Sequence, residues 1–491
     1  MRPLDIVVIV VYCVSVAAVG VFFSGRQQDS TDYFLGRRGL PWWAILLSIV
    51  ATETSALTVI SVPGLAATTN LTFIQLAFGY LVGRIGVAAL LLPGYFEGTQ
   101  ETAYQRLERR FGPKARRAAS GIFLITRSLA DAVRVFATAI PLAIITHWSL
   151  PAGILATGVI TLAYTWFGGI RAVVWTDVLQ LGVYILGGVA TIAVALNQAG
   201  GLSAFERAHD AGKLVMVDFS FSFRHTYTLW SGLIGGALLS AASHGTDHLI
   251  VQRLLAAKNL SDARKALVGS GIFIIFQFAL FLLVGTSLWL AGAAHPGMTS
   301  DSIYPTFVVN ELPAGLAGLV VAGLLAAAMG THASAINSLA SASTHDFYAS
   351  FTGRRDPEHL LRVGRIMTLI WAVVLVVGAM LFPDRQTPVV ELALKIASLT
   401  YGALLGTYIL GGFWPRARER DIIVAMVVAV AVMTPVVLGW PFHLLPGLAW
   451  PWDVPLGTAV TVLVGMASSA VGGATAGKAT EGKAPMSGGG S

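Results

Sequence analysis

The chain is poor in charge and almost free of cysteine. Only 12% of its 491 residues are Asp, Glu, Lys or Arg, against roughly 25% in soluble domains. This shortage argues against an ordinary soluble fold. Cys13 is the single cysteine, so neither an intrachain disulfide nor a multi-cysteine metal site can form. The net charge of +7 comes from basic residues in short loops, a distribution that does not indicate a nucleic-acid partner.

Long apolar runs take the place of the missing charge. Hydrophobic residues make up 55% of the chain, and many runs reach the ~20 residues that a membrane-spanning helix needs. We predict an all-α polytopic membrane protein with one transmembrane domain over residues 1–472. The first run is longer than the apolar part of a signal peptide and lacks a clear cleavage site, so we expect no cleavable signal. The thirteen predicted spans lie at about 3–23, 40–66, 71–96, 118–147, 150–167, 170–197, 228–252, 264–294, 314–345, 360–382, 388–413, 420–440 and 452–472.

Lys and Arg residues alternate between the loops. One set of loops is rich in them, with Arg37, Arg109, Arg253 and Arg354 as examples, and the other set has few. Because cytoplasmic loops carry the basic excess, the N-terminus is expected outside and the C-terminus in the cytoplasm. We predict a multi-pass protein of the cell inner (plasma) membrane, surrounded by the lipid bilayer and acting as a monomer. Residues 473–491, rich in Gly, Ala, Ser and Lys, are predicted to form a disordered cytoplasmic tail.

Two of the predicted spans have polar, interrupted centres. The second span contains Thr52–Ser55 and Thr58, and the seventh contains the polar run Ser240–His248. They are five spans apart, which predicts two inverted five-helix repeats over about 40–197 and 228–413. Paired broken helices at the start of each repeat indicate a binding site near the middle of the membrane. The alternative is two ordinary helices with small-residue packing faces.

Other polar groups at membrane depth have two interpretations each. Thr331, Ser334 and Ser338 share one helix face and serve either packing or ion binding. Asp177 is either an ion-linked acid or an acid favoured by a helix N-terminus. These residues alone do not decide between the two.

The fourth span carries three charged residues. Arg127 and Asp131 are four residues apart and can pair, which leaves Arg134 either to a carboxylate ligand or to a structural network around Asp131. Arg84 in the third span has the same ambiguity, and a structural role is favoured there. The group His244, Asp247 and His248 resembles a polar helix face more than a zinc site, which needs three or four converging ligands.

Five motifs run through the chain: Asp32–Trp43, Ser55–Ala56, Tyr104–Gly112, Gly168–Asp177 and Val251–Lys258. Together they resemble the sodium:solute symporter family. That family includes sodium/glucose, proline, iodide, sialic acid, monocarboxylate and vitamin cotransporters. The resemblance covers about residues 3–440 and implies a LeuT-type 5+5 inverted repeat that works by alternating access.

The resemblance implies a main sodium site between the second and ninth spans. Its two carbonyl ligands at the first break match Ala51 and Thr54, and its ligands on the ninth span match Ala327, Gly330 and Thr331. Gly330 departs from the family, because most members have Ser there.

Some members have a second sodium site, formed by an acid and three serines. Only Asp177 and Ser334 remain of that pattern here, since the other two positions are Gly330 and Ala333. Asp177 and Ser334 are therefore a candidate second ion or proton site, and a complete second sodium site is not expected.

The substrate positions of the family fall on five residues of this chain. Ser243 stands where sugar transporters have an aromatic gate, which argues against a stacked hexose, and Arg134 favours a carboxylate. The five residues are Glu53, Thr58, Gln75, Arg134 and Ser243.

The predicted function is a sodium-coupled symporter that imports a small organic solute, with a carboxylate favoured. Sodium is the coupling ion, and no other metal, no cofactor and no enzymatic activity are expected. The alternative within the same fold is proton-coupled or uncoupled transport, suggested by Gly330, Glu53 and His332. A membrane sensor would need a signalling domain, and a channel would need a selectivity filter or rings of charged residues. We find neither pattern in the sequence.

Overall fold

A computed structural model describes residues 2–24, 27–98, 100–146, 148–381, 389–439 and 443–481 of the chain. It is 80% helical, and none of these residues belongs to a β-strand. The predicted all-α membrane class is confirmed.

Helices of the first half include one long kinked helix. Gly169 interrupts that helix with φ 52° and ψ −151°, a conformation open to glycine because it lacks a Cβ. The kink separates the predicted spans 150–167 and 170–197. The helices are α1 Pro3–Ser24, α2 Ser30–Leu35, α3 Trp42–Glu53, α4 Ala56–Thr68, α5 Ile74–Gly86, α6 Leu92–Tyr95, α7 Gln105–Phe111, α8 Pro113–Thr146, α9 Leu150–Ala199 and α10 Ala204–Asp210.

The second half adds ten more α-helices. They are α11 Gly236–Gly245, α12 His248–Leu255, α13 Leu260–Leu290, α14 Ser300–Asn310, α15 Leu316–Ala342, α16 Ala349–Thr352, α17 Pro357–Met380, α18 Val389–Phe413, α19 Glu419–Val437 and α20 Asp453–Glu481. Short π-helical turns cover Val87–Leu91, Ser231–Gly235 and Ser343–Tyr348, and 3-10 turns cover Gly36–Arg38 and Trp450–Trp452.

Nine helices within the described residues are long and apolar enough to cross a membrane, and α3 with α4 makes a tenth. The predicted spans 118–147, 150–167 and 228–252 fall on α8, the first part of α9, and the turn and helices of 231–255. The count of thirteen spans and the orientation of the termini remain predictions.

Both predicted interruptions are present in the structure. Helices α3 and α4 meet at an angle of 61°, where Thr54 and Ser55 leave the helical conformation. Helices α11 and α12 are separated by Thr246 and Asp247. The hydroxyl and acidic side chains at these positions compete with the helical backbone for hydrogen bonds, which explains why the helices break there.

Helices of both breaks are packed against other helices of the bundle. Helix α3 contacts α9, α13 and α15, and α5 packs against α11. At Gly79 the backbones of the third and seventh predicted spans approach so closely that a Cβ atom would lie 2.0 Å from the carbonyl oxygen of Gly232. The first break therefore lies deep in the helical bundle.

The C-terminal helix is longer than the sequence analysis anticipated. Helix α20 continues to Glu481, so the first nine positions of the predicted disordered tail, 473–481, are helical. Alanine recurs through this stretch and is the strongest helix former. Residues 482–491 lie outside the described residues.

Candidate functional site

A cavity lies between the two broken helices, and it is called the main cavity below because both breaks line it. It encloses about 910 Å³, part of which is open to solvent. The first break contributes Thr52, Glu53, Ser55 and Thr58 to its wall. The second break contributes Ser243, His244 and Asp247. The remaining lining residues are Val62, Phe73, Tyr80, Arg127, Arg134, Leu239, Leu249, Ile250, Phe278, Ala397 and Tyr401.

The first break exposes backbone groups beside the cavity. Thr54 follows the end of α3 and Ser55 precedes α4, and Ser55 makes no side-chain capping hydrogen bond. The last carbonyl groups of a helix and the first N–H groups of the next have no partner within their own helices. Ala51 and Thr54, the two predicted carbonyl ligands, are both buried at this helix end.

Helix α15 places the Thr331 hydroxyl and the Ala327 carbonyl near the first break. Thr331 Oγ1 donates to the Ala327 carbonyl at 3.0 Å. A small cavity of about 250 Å³ is lined by Ser55, Ala327 and Thr331 together. The structure thus brings two of the predicted ligands on α15 next to the break. Oxygen atoms of this kind are the ligands that hard cations prefer.

Gly330 faces a different neighbour. A Cβ atom at this position would lie 2.3 Å from Gln180 Oε1 and 3.0 Å from Asp177 Oδ1, both on α9. A serine here would displace the Gln180 side chain. The structure therefore places Gly330 with the Asp177 cluster, on the side of α15 that faces α9.

The candidate second ion site already contains a cationic side chain. Arg253 Nη2 donates to Asp177 Oδ2 at 3.1 Å and also to Ser334 Oγ. Ser48 Oγ donates to Asp177 Oδ2 at 2.6 Å and accepts from Arg253 Nε at 2.8 Å. All four side chains are buried. A guanidinium group thus bridges Asp177 and Ser334.

Arg253 corrects the loop assignment made from the sequence. Charge alternation placed it in a cytoplasmic loop, whereas the structure buries it completely within α12. The predicted seventh span ended one residue earlier, at 252. The family motif Val251–Lys258 contains Arg253 and could have indicated its buried position. This motif begins inside α12, whose residues are buried in the bundle.

Four of the five predicted substrate residues line the main cavity: Glu53, Thr58, Arg134 and Ser243. Gln75 is not among the lining residues. Its side chain donates to the carbonyl of Tyr227 at 3.1 Å and accepts from the Asp218 N–H at 3.1 Å. Gln75 is bonded to the backbone of the segment between α10 and the turn Ser231–Gly235, and it is not part of the cavity wall.

The charges around the cavity form two ion-pair groups. In one, Glu53 pairs with the buried Arg84. In the other, Asp131 binds Arg127 through both carboxylate oxygens and Arg134 at 2.9 Å. The contact of Asp131 with both arginines was one of the two alternatives that the sequence left open for Arg134, and the pairing of Arg84 with Glu53 was not predicted.

Asp247 belongs to the second group. Its Oδ2 accepts from Arg127 at 3.3 Å and from the Tyr401 hydroxyl at 2.7 Å, and its Oδ1 accepts from the Leu249 N–H at 2.9 Å. Asp247 therefore caps α12 and links it to α8 and α18.

A further buried polar network surrounds Asp346 and was not foreseen. Asp346 accepts from Thr102, Arg116 and Ser120 at 2.6–2.9 Å. His345 lies 2.8 Å from Glu101. Burial alone would raise the pKa of Glu101, but the contact with His345 lowers it overall. No group of three or more His, Cys, Asp or Glu side chains suited to a metal occurs within the described residues.

Comparison with known proteins shows which family this chain matches. The profile described as the sodium:solute symporter family matches residues 33–429. The chain is 28% identical to the sodium/sialic acid symporter NanT of Aliivibrio fischeri over 447 residues, which covers 88% of this chain and 87% of that protein. It is 27% identical to the human sodium-coupled monocarboxylate transporter 1, covering 87% of this chain and 72% of the transporter.

Solved structures share the architecture. A sodium-coupled sialic acid symporter in a substrate-bound outward-open state matches with a TM-score of 0.87 at 24% identity, covering 96% of this chain and 98% of the other. A nucleobase-cation-symport-1 family transporter in a closed conformation matches with a TM-score of 0.58 at 14% identity, covering 89% and 94%. These matches confirm the LeuT-like fold.

Proposed function

Since the chain belongs to the sodium:solute symporter family, we propose that it carries a small organic solute, of the carboxylate class, into the cell together with sodium. The relatives are sodium-coupled symporters of sialic acid and of monocarboxylates. Nothing in the family or its relatives indicates an enzyme. Transport proceeds by alternating access, in which the cavity opens to one side of the membrane at a time.

The observation that carries this proposal is the contact of the first break with α15. Sodium would bind the carbonyl groups of Ala51 and Thr54 together with the Ala327 carbonyl and the Thr331 hydroxyl. The Thr331–Ala327 hydrogen bond and the small cavity beside Ser55 support this set. Such an ion holds α3 against α15, and the solute cavity begins at the adjacent residues. Coupling then follows from the different affinity for sodium in the two conformations.

We further propose that one sodium ion is transported per cycle. Arg253 supplies a positive charge to Asp177 and Ser334, the residues that the family pattern assigns to a second ion. A second cation at that position would be repelled by the guanidinium group. Sodium titration of transport should therefore give a Hill coefficient near one.

The cellular setting follows the sequence prediction. We propose that the protein is a multi-pass component of the cell inner membrane, acts as a monomer in the bilayer, and has its C-terminus in the cytoplasm. The two repeats, about 40–197 and 228–413, would form the moving core of the single transmembrane domain.

Uptake by the purified protein in proteoliposomes tests the proposal. Labelled sialic acid and labelled lactate serve as the probes, and an inward sodium gradient is compared with a potassium gradient of equal size. We expect accumulation with sodium only. Uptake that is unchanged in potassium would overturn sodium coupling. Thr331→Ala removes the proposed hydroxyl ligand, and Ser338→Ala is its matched control. The Ser338 hydroxyl is buried on the same helix and, among the described residues, bonds only to the Ala335 carbonyl.

Proton coupling is the second candidate, and His332 is the observation that favours it. This side chain is buried beside Thr331, and neither ring nitrogen has a hydrogen-bond partner among the described residues. Histidine exchanges protons near neutral pH. An inward proton gradient without sodium would drive uptake if this candidate is correct, and His332→Gln would abolish that uptake.

A further inference from the structure

The main cavity presents one acidic and one basic side chain that are not fully paired. The ionisable residues lining it are Glu53, Arg127, Arg134, His244 and Asp247. Which of them can still bind a solute depends on how many of their hydrogen-bonding atoms already have protein partners.

Arg134 is the basic group that remains available. Arg127 is held by Asp131 and Asp247, and only 5% of its side chain is exposed. Arg134 contacts Asp131 through Nη1 alone, and 18% of its side chain is exposed. No described residue accepts a hydrogen bond from its Nε or Nη2. A guanidinium edge of this kind suits a carboxylate, which can accept two parallel hydrogen bonds.

Glu53 is the acidic group that remains available. Its Oε2 pairs with Arg84 and lies 3.7 Å from His244 Nε2, and Arg84 Nη1 donates to Ser270 Oγ at 2.6 Å. The Glu53 side chain is 18% exposed, and no described residue donates to its Oε1. This carboxylate therefore presents one oxygen to the cavity while the buried Arg84 holds the side chain in place.

The formal charges around the cavity cancel. Glu53 and Arg84 form one neutral pair, and two arginines, Arg127 and Arg134, face two acids, Asp131 and Asp247. A solute with only a carboxylate would bring an uncompensated negative charge toward Glu53. The exposed oxygen of Glu53 repels a nearby carboxylate, because like charges interact more strongly in a partly buried site than in water. A solute that also carries a cationic group avoids this repulsion.

An aromatic wall adjoins the acidic side. Phe278 packs against Phe73 with ring centroids 5.3 Å apart and against Tyr80 with centroids 6.1 Å apart. Tyr80 lies one helical turn before Arg84 on α5, so both point to the same side of that helix. Aromatic rings attract ammonium groups through their negative faces. The wall thus adds to the attraction that Glu53 exerts on a cation.

We propose that the solute is a zwitterion whose carboxylate binds Arg134 and whose ammonium group binds Glu53 beside the aromatic wall. This inference rests on the proposed symport function and narrows its substrate class to compounds that carry both charges, such as amino acids and betaines. It goes beyond the anionic solutes named for the relatives.

The test is a binding screen of the full chain in detergent, read as thermal stabilisation in sodium and in potassium. The panel contains the twenty common amino acids and glycine betaine, and for each amino acid the matching acid without the amine and the matching amine without the carboxylate. We expect sodium-dependent stabilisation by zwitterions, with at least about tenfold weaker binding of both truncated partners, because each loses one charge-assisted contact.

Two results would overturn the inference and leave the proposed function intact. One is sodium-dependent binding of acids without an amine that equals or exceeds that of the zwitterions. The other is a screen in which acids bind and no zwitterion does. Loss of any sodium effect, for every solute and for sialic acid and lactate uptake, would instead contradict the proposed function itself.

Substitution of Glu53 separates a binding role from a structural one. In Glu53→Gln, the ratio of the Kd of the acid without an amine to the Kd of its zwitterion should fall by about tenfold or more. The double variant Glu53→Gln with Arg84→Met should show the same fall without leaving a buried unpaired arginine. An unchanged ratio in both variants would overturn the inference.

Discussion

The two broken helices occupy corresponding places in the two repeats but satisfy their exposed backbone groups differently. At the second break, Asp247 accepts from the Leu249 N–H at 2.9 Å and is held by Arg127 and Tyr401. At the first break, Ser55 makes no capping hydrogen bond through its side chain. The second break therefore has a side-chain cap of its own, and the first break has none.

This difference assigns separate tasks to the two repeats. The second break is capped by Asp247, so it does not require a bound ion and we expect it to form a fixed wall of the cavity. An uncapped break next to the Thr331 hydroxyl gains stability when a cation arrives. Sodium should therefore act on the first break, and removal of internal partners should be most damaging at the second.

Removing the acid from the second break should have the largest effect. In Asp247→Ala, α12 loses its cap and Arg127 and Tyr401 lose a buried partner, so we expect a destabilisation of about 3–5 kcal/mol. Thermal unfolding in detergent measures it. The control is Asp356→Ala, an exposed cap of α17 that accepts from the His359 N–H at 2.8 Å, where a loss of about 1 kcal/mol is expected.

The isosteric change Asp247→Asn distinguishes the cap from the charge. Asparagine caps helices as well as aspartate, so the remaining loss reports the ion pair with Arg127. Equal melting temperatures for Asp247→Ala and Asp356→Ala would contradict the assignment of Asp247 as the internal closure of the second break.

Removing one hydroxyl beside the first break should raise the sodium requirement. We expect Thr331→Ala to increase the sodium concentration for half-maximal transport by about 10- to 100-fold, because a contact to a charged group contributes about 1.5–3 kcal/mol. Ser338→Ala, buried on the same helix, should leave the sodium requirement near that of the natural protein. Equal shifts in both variants would mean that α15 responds to packing changes and not to loss of an ion ligand.

Gln75 tests the boundary of the solute site. Gln75→Ala removes the hydrogen bonds to Tyr227 and Asp218 and leaves those backbone groups unpaired, so we expect a loss of stability of about 1–3 kcal/mol. The Kd of the solute should stay the same, since Gln75 does not line the cavity. A large rise in the Kd of the solute with unchanged stability would mean that Gln75 contacts the solute, as the sequence analysis predicted.

The smallest effect is expected away from both breaks, at Glu101. Its lowered pKa means that the charged form is favoured in the folded protein. Its contribution is therefore present at neutral pH and is lost as the pH falls below the ordinary Glu value of about 4.3. The difference in melting temperature between the natural protein and Glu101→Gln should be small at pH 7 and shrink toward pH 4. A difference that grows on acidification would contradict this sign.

Much of the fold and part of the site could be predicted from the sequence because they depend on local patterns. Apolar runs set the helices, and the polar centre of residues 52–58 revealed the first break. Family resemblance supplied the candidate ligands Ala51, Thr54, Ala327 and Thr331. Their role as sodium ligands stays a prediction, although the structure brings Ser55, Ala327 and Thr331 around one small cavity.

The remaining features depend on contacts between distant segments. Arg253 and Asp177 lie 76 residues apart in sequence, and Glu53 and Arg84 lie on different helices. A charge count by loops cannot show that a basic side chain turns inward to meet a buried acid. For the same reason Gln75 was assigned to the solute, since the path of the segment that it binds, between α10 and the turn Ser231–Gly235, is not visible in its local sequence.

Hydrogen exchange of the backbone amides tests the division of tasks most directly. The protein is compared in sodium chloride and in potassium chloride at equal ionic strength, without solute. We predict that sodium slows exchange at residues 51–58 and 327–334 and leaves residues 243–250 unchanged. Equal slowing at 243–250, or no change at 51–58, would contradict the claim that the first break is the sodium-binding one.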